Sequence, residues 1–161
     1  MSQKLKSSTR DELLHAEDLL PQLGIQLPIG TATMSETAIR EFATQWDPLE
    51  IHVGDGAHFG TVIASGIHTI ATYQRLAVDA YFSSWAVVAA RRIRDLVLPR
   101  PVFPGDTLTG WVRLASADGP KRGMVKFTVE GHLQNQDNLT VLTILIECYV
   151  KQRESSTLVA S

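Results

Sequence analysis

The sequence predicts an α+β domain in which a curved antiparallel sheet wraps around one long central helix. Three observations predict it. A helical pattern that is apolar around most of its circumference spans Gly66 to Phe82. Four strand-like runs follow it, separated by short turns. One of them, Met124 to Leu133, alternates cleanly between apolar and polar residues.

Near the start, an amphipathic stretch from Asp11 to Leu20 predicts a short helix that stops before Pro21. Ser35 has the form of an N-cap. Ile39, Phe42 and Ala43 then share one side of a second helix that runs up to Trp46. Pro48 ends that helix, because the residue before a proline is pushed out of the α region. Asp47 is therefore expected in a loop.

In the central helix, about 100° per residue places His68, Thr72, Arg75 and Asp79 in one narrow stripe. The remaining girth carries residues such as Ile67, Ile70, Tyr73, Leu76 and Val78, interrupted by Thr69 and Gln74. A helix apolar over so much of its surface must be covered on most sides.

Strands are expected at Trp85 to Val97, Thr107 to Ser116, Met124 to Leu133 and Thr140 to Lys151. In the third, Val125, Phe127, Val129 and Leu133 face one way, with Lys126, Thr128, Glu130 and His132 opposite. Asp118-Gly119 and Gln134 to Asn138 supply the hairpin turns of an antiparallel meander. The last strand carries Leu142, Ile144, Ile146, Cys148 and Val150 on one face and Val141, Leu145 and Tyr149 on the other. Two apolar faces predict that a second subunit or another element covers the far side, hence a homo-oligomer, a dimer or larger.

The 161 residues fit a single domain, 1–161, with 1–9 and 152–161 expected as flexible ends. A net charge of −2 gives no general attraction to nucleic acid or to an anionic membrane, so any phosphate-bearing ligand needs a local basic cluster. The single cysteine, Cys148, excludes a disulfide within the chain. The opening MSQKLKSSTR is polar, with no apolar signal core behind it. The longest run free of Asp, Glu, Lys and Arg is the 19 residues from Gly56 to Gln74, close to the ~20 of a membrane span. Its glycines, histidines and threonines make it buried protein instead. A cytoplasmic protein is expected.

Two stretches carry the chemistry. In Asp47-Pro-Leu-Glu-Ile-His52, a carboxylate and an imidazole five residues apart would diverge on a helix, which Pro48 excludes; in a loop both can converge on one water. Such an acid–base pair works near neutral pH. Alternatively, Asp47 caps a backbone amide and His52 fills a surface gap. In Ala64-Ser65-Gly66, the free N–H groups of a helix start can stabilise a developing oxyanion, and glycine lets a carbonyl approach. Ser65 also reads as an ordinary N-cap. Pro101-Val-Phe-Pro-Gly-Asp106 is a rigid turn into a strand. Gln74 either lines a pocket and touches Asp47 and His52, or is satisfied by sheet backbone. Arg91, Arg92 and Arg94 meet either ligand phosphates or a solvated edge and an intersubunit ion pair. The glycines at 54, 56 and 60 lack the strand-to-helix context of a dinucleotide fingerprint. His52, Asp55 and His58 lack metal-ligand spacing, and no metal is expected.

Taken together, FATQWDPLEIHVGDGAHFGTVIASGIHT and LPRPVFPGDTL resemble the MaoC-like dehydratases, the (R)-specific enoyl-CoA hydratases of hotdog fold. The likeness covers about Gln22 to Val150. It implies that Asp47 and His52 hold the water added syn across a trans-2-enoyl thioester, and that the Gly66 N–H helps bind the thioester oxygen. Ser65, Ile67, Ile70 and Gln74 are the candidate substrate-binding residues. The substrate would be an acyl-CoA or acyl carrier protein thioester, with no other cofactor. Glu50 stands where the family commonly has proline. An acyl-CoA thioesterase and a non-catalytic acyl-binding subunit are the alternatives.

Overall fold

A computed structural model of the chain describes residues 13–56 and 58–154. Its five-stranded antiparallel sheet runs β1 (Gln26–Thr33), β3 (Thr107–Lys121), β4 (Met124–Gln134), β5 (Thr140–Lys151) and β2 (Val87–Val97) in spatial order. The helices are α1 (Ala16–Leu19), α2 (Glu36–Trp46), α3 (Glu50–Val53) and the long α4 (Gly66–Ala80). This is the expected α+β hotdog arrangement. The inward rows of β3, β4 and β5 bury Leu108, Val112, Phe127, Val129, Leu142 and Ile144 beneath Tyr73 and Ala77 of α4.

Several elements differ from expectation. β1 was not foreseen, because Pro28 and Gly30 break its pattern; at a sheet edge proline removes no needed ladder donor, and the register shifts between those two residues. The helix expected from Asp11 contains only Ala16–Leu19 among the described residues; Asp11 lies outside them. The first hairpin does not turn at Asp118-Gly119. Lys121 pairs with Met124, leaving a two-residue loop of Arg122 and Gly123, both at positive φ (54° and 71°), which is the tight-hairpin geometry. The Gln134 to Asn138 turn is where expected, with the Asn135 side chain accepting from the backbone N–H groups of Asp137 and Leu139.

Val141 is not on an outer face. The register shift after Leu133 turns it into the core beside Leu142, while Leu145 and Tyr149 remain half-buried outside. Of the end expected to be flexible from 152, Gln152–Glu154 are held: the Gln152 N–H donates to the Gly123 carbonyl and Arg153 pairs with Asp18 at 2.7 Å. The remainder of that end, and residues 1–9, lie outside the described residues.

Among the described residues of one chain, α4 is covered on one side only. Thr69, Tyr73 and Ala77 are buried, whereas Ile67 is 54% exposed. No helix among the described residues is long and apolar enough to cross a membrane.

Candidate active site

α2 ends at Asp47, whose backbone (φ −156°, ψ 66°) leaves the helical region as the following proline requires. Two residues later the chain turns helical again. Leu49 is the N-cap of α3, so His52 rides on a four-residue helix and not in the open loop expected beyond Pro48. Pro48 ends α2, but its restriction does not reach past Leu49.

The short helix is anchored at both ends. The Leu49 N–H donates to the Asp47 carbonyl at 2.8 Å. The Arg40 guanidinium of α2 donates to the Val53 and Gly54 carbonyls at 2.7 and 2.8 Å, satisfying groups that a helix C-terminus leaves open. Sequence reasoning missed Arg40; its only signal is the ordinary i,i+4 pair with Glu36.

This places the two side chains together. His52 is 5% exposed, and its Nε2 lies 3.5 Å from Asp47 Oδ2. Its Nδ1 lies 2.8 Å from the Ile63 carbonyl oxygen. A carbonyl can only accept, so Nδ1 carries the proton. In the neutral ring Nε2 is then a lone pair aimed at the carboxylate side, the arrangement of a base.

Asp47 Oδ2 also accepts from the Ser65 hydroxyl at 2.6 Å, and Ser65 is fully buried. Ser65 is the N-cap of α4, its Oγ accepting the Ile67 N–H at 3.2 Å. The expected N-cap is present, and the bond to Asp47 was not foreseen. The backbone just before it is fastened to the Pro101–Asp106 turn, because the Ala64 N–H donates to the Val102 carbonyl at 2.8 Å. That turn is closed by Asp106, which is 6% exposed and accepts the Phe103 N–H.

Gly66 follows as the first residue of α4. Among the described residues no hydrogen bond uses its N–H, as the first turn of a helix dictates. A side chain there would meet Leu98.

From Ile67 an apolar groove of about 590 Å³ runs along α4 past Ile70, Gln74 and Val78. Its other wall is Ile93 of β2 with Ile146 and Cys148 of β5. Gln74 lines this groove, whose lining includes neither Asp47 nor His52. Burial pushes the Cys148 thiol up to about 11, so it stays protonated and inert. His68 stacks flat on Phe42 of α2 at 4.4 Å, and burial holds its pKa below the ordinary histidine value. It packs α2 against α4. Of the arginines in β2, Arg94 pairs with Glu147 at 3.2 Å, while Arg91 and Arg92 are exposed.

Residues 25–135 match the model of the MaoC-like domain family. The chain is 28% identical over 120 residues to the uncharacterized protein YdeM of Bacillus subtilis, covering 72% of this chain and 74% of YdeM. In structure it resembles the MaoC-like dehydratase from Rhodospirillum rubrum (TM-score 0.73, 24% identity, 88% of this chain and 99% of that one). It also resembles the (R)-hydratase from A. caviae involved in PHA biosynthesis (TM-score 0.63, 18% identity, 81% and 96%).

Proposed function

Because the chain belongs to the MaoC-like domain family, we propose that it is a hydro-lyase that interconverts a trans-2-enoyl thioester and the (R)-3-hydroxyacyl thioester, with Asp47 and His52 as its acid–base pair. The observation that carries this reading is the meeting of Asp47 Oδ2 and His52 Nε2, 3.5 Å apart, beside the start of α4.

A water seated at the pair donates one proton toward His52 Nε2 and the other toward Asp47, which turns its lone pair outward. One of its protons passes to His52 Nε2 as its oxygen bonds to C3; the C2–C3 π pair shifts between C1 and C2, and the carbonyl π pair moves onto the thioester oxygen. The Gly66 N–H, at the positive end of the α4 dipole, receives that developing oxyanion. The proton taken from the water returns from the pair to C2 on the same face, so the pair ends as it began. The reverse sequence is dehydration.

The groove beyond Ile67 suits the acyl tail, with Ile67 and Ile70 along it and Gln74 as its polar interruption. A coenzyme A or acyl carrier protein thioester would extend from the other side. The groove stands open in one chain, and the exposed β2 edge beside it fits closure by a second copy.

The test is purified protein with crotonyl-CoA and longer enoyl-CoAs, following loss of the conjugated-thioester absorbance. Asp47→Asn and His52→Ala are each expected to lower kcat by about 10²–10⁴. Retained turnover in both variants would defeat the assignment, and release of free thiol by the wild type would mark a thioesterase instead.

A further inference from the structure

We propose that Leu98 is a specificity-determining residue that shuts out a branch at C2, so that the site takes enoyl thioesters unbranched at that carbon. This rests on the hydro-lyase reading, with the Gly66 N–H holding the thioester oxygen. The starting point is a close approach. A Cβ at Gly66 would lie 2.6 Å from Leu98 Cδ1. Beyond the backbone of α4 and the two flanking residues, no other atom of the described residues comes within 4 Å of that point. A Cβ and an amide nitrogen share one Cα, so the Leu98 methyl stands no more than about 5 Å from the nitrogen that offers the N–H.

Leu98 is held there by the chain on both sides of it. Before it, Val97 is in register with Thr143 of β5. After it, Pro99 confines Leu98 to extended backbone. The Arg100 guanidinium then donates to the Thr140 carbonyl at 3.0 Å, and the Val102 carbonyl accepts the Ala64 N–H at 2.8 Å. Ala64 lies two residues before Gly66, so the segment carrying Leu98 and the start of α4 are fastened to each other.

With the carbonyl oxygen on the Gly66 N–H, C1 and C2 are the next atoms of the ligand. A substituent on C2 occupies space beside that oxygen, on ground the Leu98 methyl already holds. A hydrogen fits there, whereas a methyl group competes with the leucine for one volume. The tail has its own exit, the apolar groove that begins at Ile67, whose lining does not include Leu98. Tail length and C2 branching are thus read by different residues. Leu98 is 40% exposed, so truncating it opens this space without leaving a hole in the core.

The test compares crotonyl-CoA with its 2-methyl analogue, tiglyl-CoA, by loss of the conjugated-thioester absorbance. The 2-methyl group slows hydration intrinsically in every variant, so the change in the kcat/KM ratio between variants is what reads Leu98. The wild type should favour crotonyl-CoA by at least about tenfold. Leu98→Ala should narrow that preference by about tenfold, the worth of one methyl-sized misfit, through faster turnover of tiglyl-CoA. Leu98→Val, one methylene smaller, should fall between, and it carries the test if the alanine variant does not fold. A ratio unchanged in the folded variants, or a wild type that prefers tiglyl-CoA, overturns the proposal and leaves the hydro-lyase reading standing. A wild type that turns over neither thioester brings down both.

Discussion

Tyr73 is fully buried at the middle of α4, and its hydroxyl has no hydrogen-bond partner among the described residues. Burial accordingly pushes its pKa far above the ordinary phenol value. The ring lies over Gly131 of β4, where any side chain would overlap it. An unsatisfied buried hydroxyl costs about 1–3 kcal/mol. Tyr73→Phe should therefore leave stability unchanged or raise it by about 1 kcal/mol, whereas Gly131→Ala should lower it by about 1–3 kcal/mol through overpacking. Urea unfolding midpoints check both; a Tyr73→Phe protein markedly less stable than wild type would mean that the hydroxyl has found a partner. At this scale the spacing of Asp47 and His52 left a structural and a chemical reading open, and the likeness of the surrounding motif to a known family is what singled them out. The sequence did not show Ser65 holding Asp47, or Tyr73 lying on Gly131, since both contacts join residues distant in the chain.

Among the elements, α4 and β2 to β5 were legible from periodicity and turn residues, and their bounds shifted by only a few positions. Those missed were elements in which local signal and tertiary need disagree. β1 contains Pro28 and Gly30, tolerable only because the strand is an edge. α3 is a single turn, far below the length at which a helix stands alone; its form is imposed by its anchors. Arg40 is the principal one, reaching two carbonyls from the neighbouring helix with one nitrogen. Arg40→Ala should cost about 1 kcal/mol, less than a fully buried charged hydrogen bond because the side chain is partly exposed. It should also lower kcat, since His52 rides on the released turn. Arg40→Lys should not restore activity fully, for one ammonium cannot meet Glu36 and both carbonyls as the separate Nε and Nη1 do. Urea unfolding and kcat measured together check this; stability lost with kcat intact would show that α3 keeps His52 in place unaided.

At the scale of the whole molecule, β2 closes the argument. Among the described residues its outer edge is unpaired, and Val88, Ile93 and Val97 are each more than half exposed. Such an edge invites pairing with other strands. Here the register against β5 shifts three times, and Asp95 sits at a positive φ of 48°, so the edge is bent and bulged. A bent apolar edge rejects arbitrary flat strands but suits a partner of the same curvature, and a second copy of this chain supplies one by symmetry. The same association would cover the groove between α4 and β2, whose walls are almost entirely apolar and therefore costly to leave in water. The protein should sediment as a dimer or larger at micromolar concentration. Ile93→Asp, which places a charge on that edge without touching the buried core, should shift it toward monomer with its far-ultraviolet circular dichroism unchanged, and lower enoyl thioester turnover as the groove opens. A variant that keeps the wild-type mass in solution would put the contact on another face, the half-buried outer surface around Leu145 and Tyr149 being the next to test.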